Sequence, residues 1–133
     1  MIFKKTYKMN NGAEIPKLAL GTWLIENDEA AKAVCEAVKI GYRHIDNERG
    51  VGEGIRKCGV AREEIFITSK VAAEHKSYQS AADSIDETLS KMGLDYIDMM
   101  IIHSPQPWKE VNQSENRYFK ENRCNSRKHK ITD

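Results

Sequence analysis

Apolar residues return along this chain at two intervals, which divide it into helices and strands. Ala30, Val34, Ala37 and Val38 fall on one face of a helix. Asn27 and Asp28 offer a cap ahead of that stripe, Glu29 puts negative charge in the first turn, and Gly41 stops it. Val51, Ile55 and Cys58 carry a weaker second helix, rich in glycine at Gly50, Gly52 and Gly54 and closed by Gly59. The third helix is the clearest. Ala81, Ile85, Leu89 and Met92 recur at helical spacing after Ser77, a good cap residue, and Gly93 ends the run.

The segments between the helices follow another pattern. Residues 42–46 alternate as a strand does, residues 65–71 are β-branched and aromatic, and residues 17–21 form a short apolar run. Residues 96–103 are nearly all apolar, as expected of a strand buried on both faces. Ahead of them, Asn11-Gly12 predicts a hairpin over residues 7–16, through a type I′ turn that needs positive φ at both central residues. Pro16 ends its second arm, since it has no N–H for a ladder. A hairpin followed by four strands alternating with three helices predicts a parallel sheet with right-handed crossovers.

Size and charge narrow this picture. The 133 residues fit one domain. A closed (β/α)8 barrel takes roughly 200 residues or more, so a whole barrel is excluded. Lys and Arg number 21 against 20 Asp and Glu, a formal charge of +1, so the chain as a whole is not a basic nucleic-acid binder. The charge is uneven, however. Residues 118–133 hold five basic residues and two acids and show no apolar period. They read as a basic, disordered tail on a domain of residues 1–117, with no nucleic-acid partner. The longest apolar run, Met99-Met100-Ile101-Ile102, is too short to cross a membrane. The first residues lack the apolar segment of a secretory signal. Cys35, Cys58 and Cys124 stand far apart with no C-x-x-C pair, which suggests neither a zinc site nor a disulfide framework. A reducing cytoplasm is then the default compartment. No His, Cys and Asp cluster has metal-ligand spacing, so no metal is expected.

Parallel sheets bind ligands outside the carboxyl ends of their strands. Asp46, Lys70 and His103 fall at three such ends. A partly buried Asp and Lys on neighbouring strands must pair or bear a large desolvation cost. A cationic Lys near a phenol favours the phenolate, and a neutral His can donate to a developing oxyanion. This is equipment for carbonyl reduction, without a proton donor. His44, inside a strand, reads as a hydrogen-bonded core histidine. Gly50-x-Gly52-x-Gly54 has the wrong spacing for the dinucleotide fingerprint G-x-G-x-x-G. Trp108, after the fourth strand, either lines an apolar pocket or anchors its loop.

Gly41-Tyr42-Arg43-His44-Ile45-Asp46, Ile67-Thr68-Ser69-Lys70 and Ile101-Ile102-His103-Ser104-Pro105 resemble motifs of the aldo-keto reductases. Leu20-Gly21-Thr22-Trp23 and Gly93-Leu94-Asp95-Tyr96-Ile97-Asp98 fit as well. The resemblance runs from about Met9 to about Arg123. It implies an α/β fold, the N-terminal half of a (β/α)8 TIM barrel preceded by an N-terminal β-hairpin. It implies a cytoplasmic oxidoreductase in which NADPH passes hydride to the carbonyl carbon of a small aldehyde or keto sugar. In the family a Tyr donates the proton. By the resemblance Lys70 lowers the pKa of that Tyr, Asp46 anchors Lys70, and His103 orients the carbonyl. Gly21, Thr22 and Asp46 would lie near the nicotinamide ribose, and Trp23 and Trp108 would line the substrate pocket.

The chain departs from the family pattern in two places. The family continues after the Asp with a short segment carrying the catalytic Tyr, and then Asn-Glu. Here Asp46 runs directly into Asn47-Glu48, without that Tyr. Tyr78 follows the third strand, at the same end of the sheet but in a different place. The pattern also stops after the fourth strand, short of the segments that hold the cofactor phosphates in the family, and residues 124–133 resemble nothing in it. The expectation is a reductase of weak or no activity. The alternative is a non-catalytic half-barrel serving as an interaction module. Four strands leave the first and last as free edges, which invite pairing with a second copy, so a homodimer or aggregation is expected.

Overall fold

The computed structural model describes residues 2–46 and 50–103. Residues 47–49 and everything beyond 103, including Trp108 and the expected tail, lie outside the described residues.

Strands β1 (Thr6–Lys8) and β2 (Glu14–Pro16) form the expected antiparallel hairpin, with Tyr7 opposite Ile15. Their turn is not type I′. Only Gly12 has positive φ there, at 87°. Its N–H donates to the Met9 carbonyl at 3.0 Å, which makes a longer connection closed by a left-handed glycine. Asn11 acts through its side chain instead: Oδ1 accepts from the Ala13 N–H at 3.0 Å.

The chain then alternates as the pattern predicts: β3 (Leu20–Gly21), α1 (Asn27–Ile40), β4 (His44–Asp46), α2 (Val51–Lys57), β5 (Phe66–Val71), α3 (Tyr78–Met92) and β6 (Met99–Ile102). The four later strands pair in parallel in the order β3-β4-β5-β6. Among the described residues no helix is long and apolar enough to cross a membrane. The cap of α1 differs from expectation. Glu26 takes the N-cap position without a side-chain cap bond, and Asn27 and Asp28 lie within the helix. Asp28 and Glu29 favour that end through their charge near the positive pole of the helix dipole. Helix α3 is capped as read: the Ser77 side chain accepts from the Ser80 N–H at 3.2 Å, and Gly93 closes the helix at φ 61°.

The core lies between the sheet and the helices. Ile45 and Ile67 are register partners and both are fully buried. They meet Val34 and Val38 of α1, Val51 and Ile55 of α2, and Met92 of α3. Helix α2 reaches this core because its glycines carry no side chain. A Cβ at Gly54 would stand 2.8 Å from the Val34 Cβ, and one at Gly52 would stand 1.9 Å from the Met92 carbonyl oxygen. The glycine run is thus a packing face of α2. Cys35 and Cys58 are half-buried at its borders, their thiols directed to the carbonyls of Gly54 and Ile55.

One expectation about burial needs correction. Strand β6 begins only at Met99, and its Ile101 and Ile102 are exposed at 41% and 66%. It is an edge strand with β5 as its one neighbour in the described sheet; Met99 and Met100 are half-buried, and the last two side chains are uncovered. The clearest helix of the sequence, α3, has a single buried residue, Met92. Its apolar stripe is otherwise half-covered.

Candidate active site

The carboxyl edge of the sheet brings the predicted ionisable residues together. Asp46 is the last residue of β4 and stands opposite Thr68 of β5. Lys70, two residues beyond Thr68, therefore shares its face. The Lys70 Nζ donates to the Asp46 Oδ1 at 2.6 Å, in a pair whose side chains are 21% and 37% exposed. This is a charge-assisted hydrogen bond, partly shielded from water. Thr22 braces it from β3. Its N–H and its hydroxyl each donate to the Asp46 carbonyl at 3.3 Å, and the residue is 2% exposed. Thr22 therefore reaches this site through Asp46. Gly21, exposed and in register with Asp46, leaves open the space where a Cβ would stand.

His103 follows β6. Lys70 is the register partner of Ile101, so alternation continues the face of Lys70 to His103. The His103 N–H donates to the Val71 carbonyl at 2.9 Å, extending the ladder, and the residue is exposed. A cavity of about 870 Å³, bordered chiefly by α2 and α3, reaches Ser69, Lys70, His75 and His103, and Asp46 is not among its walls. The sequence placed His75 alone on a loop; its Nδ1 lies 2.9 Å from the Ser80 hydroxyl, which ties it to the first turn of α3.

Trp23 sits in a tight turn just past β3, in which the Ile25 N–H donates to the Thr22 carbonyl at 3.2 Å. Leu24 completes that turn at φ 61°, where Gly or Asn is usual. An L-residue there carries roughly 1–2 kcal/mol of strain. Sequence reading passes over Leu24, because nothing in its chemistry marks a left-handed position. Trp23 and Leu24 are 71% and 82% exposed. Trp108, the other predicted pocket residue, lies outside the described residues.

His44 is the core histidine the sequence suggests. Its Nδ1 is 3.2 Å from the Pro16 carbonyl and its Nε2 2.8 Å from the Thr68 hydroxyl. A carbonyl can only accept, so Nδ1 carries a proton, and Nε2 shares its hydrogen bond with the Thr68 hydroxyl. The ring also meets Phe66 edge-on at 5.1 Å. His44 thereby ties the end of the hairpin to the sheet.

Among the described residues no hydrogen bond or ion pair joins a tyrosine to Lys70, whose partner is Asp46. Tyr42 packs on Phe3, Tyr7 lies under Lys17, and Tyr96 lies under Arg62. Tyr78 opens α3 with 89% of its surface exposed. Among the described residues no group of three His, Cys, Asp or Glu stands ready to hold a metal.

A parallel α/β sheet with ionisable groups at its carboxyl edge places a candidate site where such folds bind their ligands. The model of the Aldo/keto reductase family matches residues 17–121, and the chain belongs to that family. It is 46% identical over 109 residues to the glyoxal reductase of Bacillus subtilis, covering 77% of this chain and 40% of that one. It is 44% identical over 108 residues to the glycerol 2-dehydrogenase (NADP(+)) of Saccharomyces cerevisiae, covering 76% and 34%. The crystal structure of an aldo/keto reductase from Brucella melitensis superposes with a TM-score of 0.75 at 45% identity, over 80% of this chain and 43% of that one. That of the Bombyx mori aldo-keto reductase in complex with NADP gives 0.71 at 35% identity, over 81% and 41%. The chain therefore spans less than half the length of these relatives, and its hairpin and sheet are part of the family's barrel fold.

Proposed function

We propose that Asp46, Lys70 and His103 are the strand-end part of an NADPH-dependent carbonyl reductase site, and that this chain is a weak or inactive catalyst. The reading rests on the 2.6 Å Asp46–Lys70 pair at the carboxyl edge, with His103 following the adjoining strand. Lys70 would favour a phenolate or another developing oxyanion nearby, and Asp46 would hold its ammonium in place. His103 would donate to the carbonyl oxygen of a small aldehyde or keto sugar. Trp23 and Trp108 would border that substrate.

The nicotinamide end of NADPH fits this edge. The open surface over Gly21 lies beside Asp46, so these two residues, steadied by Thr22, would hold the ribose. When bound, the cofactor supplies the hydride. The proton is what this sequence lacks. Asp46 leads directly to Asn47, and each described tyrosine is placed elsewhere. A positioned general acid is worth about 10²–10⁴ in rate. The purified chain, with NADPH and 4-nitrobenzaldehyde in a cytoplasm-like buffer, should oxidise no more NADPH than a control without protein. A rate above that control overturns the weak-catalyst reading, and one that survives Lys70→Met also removes Lys70 from the chemistry.

The same tyrosine placement favours a second reading, a non-catalytic half-barrel that pairs with another copy. Strands β3 and β6 are the outer members of the described sheet, and β6 carries exposed isoleucines. Light scattering should then return at least a dimer mass. A monomer with a cooperative melt rejects this reading.

A further inference from the structure

Which face His103 presents depends on the register of β6, and the apolar pattern of β6 does not set that register. Met99-Met100-Ile101-Ile102 is equally apolar on its two faces. A slip by one residue would exchange apolar for apolar side chains, and register is weakly specified in such a strand. Packing within the strand adds less than the pattern suggests: Met99 and Met100 are half-buried, Ile101 and Ile102 are exposed, and the residues packed against the core, Leu94 and Ile97, lie ahead of the strand. The slip would nevertheless carry His103 to the opposite face of the sheet from Asp46 and Lys70, because side chains alternate along a strand.

A polar lock stands at the other end of the strand. Asp98, one residue before β6, accepts at Oδ2 from the Ile67 N–H of β5 at 2.9 Å and from the Arg62 Nη2 at 2.7 Å. Arg62 also donates to the carbonyls of Tyr96 at 3.0 Å and Ile65 at 2.6 Å. Its guanidinium lies 3.9 Å from the centre of the Tyr96 ring. The ion pair is 16% and 23% exposed. The carboxylate thus stands in for a backbone acceptor at the start of the β5–β6 ladder. Shifting β6 by one residue moves Asp98 about 3.3 Å along the strand, beyond hydrogen-bond reach of the Ile67 N–H. It also leaves the half-buried guanidinium without its counter-charge, which is strongly unfavourable.

We infer that Asp98, held by Arg62, is the register key of β6 and the positioning residue for His103. The role it gives His103 is that of the site proposed above; the placement itself does not depend on that chemistry. Amide hydrogen exchange and imidazole NMR on the full chain test it without requiring turnover. In Asp98→Ala, the amides of Ile67 and of Met99 through His103 should exchange on the order of tenfold faster or more, the factor for losing one hydrogen bond to a charged group. The amides of Val34 and Ile45 should keep their protection, and the His103 imidazole signals should split or shift. Asp98→Asn keeps an acceptor for Ile67 but not the charge toward Arg62, so it should fold and show a smaller change at the same amides. Unchanged His103 signals in Asp98→Ala overturn the inference, as does an equal loss of protection at Val34 and Ile45. Should Asp98→Ala fail to fold, Asp98→Asn decides: His103 signals identical to the parent overturn the inference, and a second set of signals supports it.

Discussion

Gly52→Ala should lower the melting temperature by roughly ten degrees. The new methyl would meet the Met92 carbonyl at 1.9 Å for oxygen and 2.7 Å for carbon. These are backbone atoms at the end of α3, which cannot turn aside as a side chain would. Overpacking of this kind costs about 1–3 kcal/mol or more, and a backbone clash belongs at the upper end. Against it, alanine gains about 1 kcal/mol over glycine in helix propensity. The net loss of about 2 kcal/mol converts to the stated shift for a domain of this size. Gly21→Ala is the matched control. A Cβ at Gly21 meets nothing within 4 Å, so its melt should stay within about 0.5 kcal/mol of the parent. Thermal denaturation followed by circular dichroism compares the two, and equal melts would show that α2 does not lie against the end of α3.

The second large effect is expected at Ile67. This side chain is fully buried between the sheet and the helices, against Val34, Val51 and Ile55 among others. Ile67→Ala should cost about 2–5 kcal/mol, the transfer of the lost carbons plus the cavity they leave. Ile102→Ala is the same substitution at a position 66% exposed, and it should change stability by no more than about 0.5 kcal/mol. Urea unfolding of both variants gives the contrast. A cost at Ile102 approaching that at Ile67 would mean that β6 is covered in solution, as pairing between copies requires. A loss at Ile67 no larger than at Ile102 would place the core elsewhere.

Much of this arrangement was legible beforehand, for reasons that are local. Ser77 and Gly93 bound α3 because capping and left-handed closure involve only neighbouring residues. Ile45 and Ile67 read as strand residues because β-branched side chains favour a pleated backbone. The same local reasoning misjudged the hairpin turn, where Asn11 works through its side chain and Gly12 alone takes positive φ. It also misjudged burial at β6. An apolar run such as Met99 to Ile102 states a preference for burial, while exposure is set by what packs over the faces of the strand. The stripe on α3 is equally regular in sequence, yet only Met92 reaches the core.

The site divides in the same way. Parallel strand direction follows from alternating elements, so the sequence by itself determined that Asp46, Lys70 and His103 stand at one edge of a parallel sheet. That Asp46 runs directly into Asn47-Glu48 was also visible there, since it is a matter of residue order. Only the tertiary structure decided that Lys70 reaches Asp46 at 2.6 Å, that Thr22 is buried beneath the pair, and that Leu24 bends into a left-handed turn beside Trp23. It alone decided the use of the glycines in α2, whose partners Val34 and Met92 come from two other helices. Periodicity along one chain specifies which side of an element is apolar. Distances between elements are fixed by register and close packing, in which residues far apart in sequence must fit one another at once.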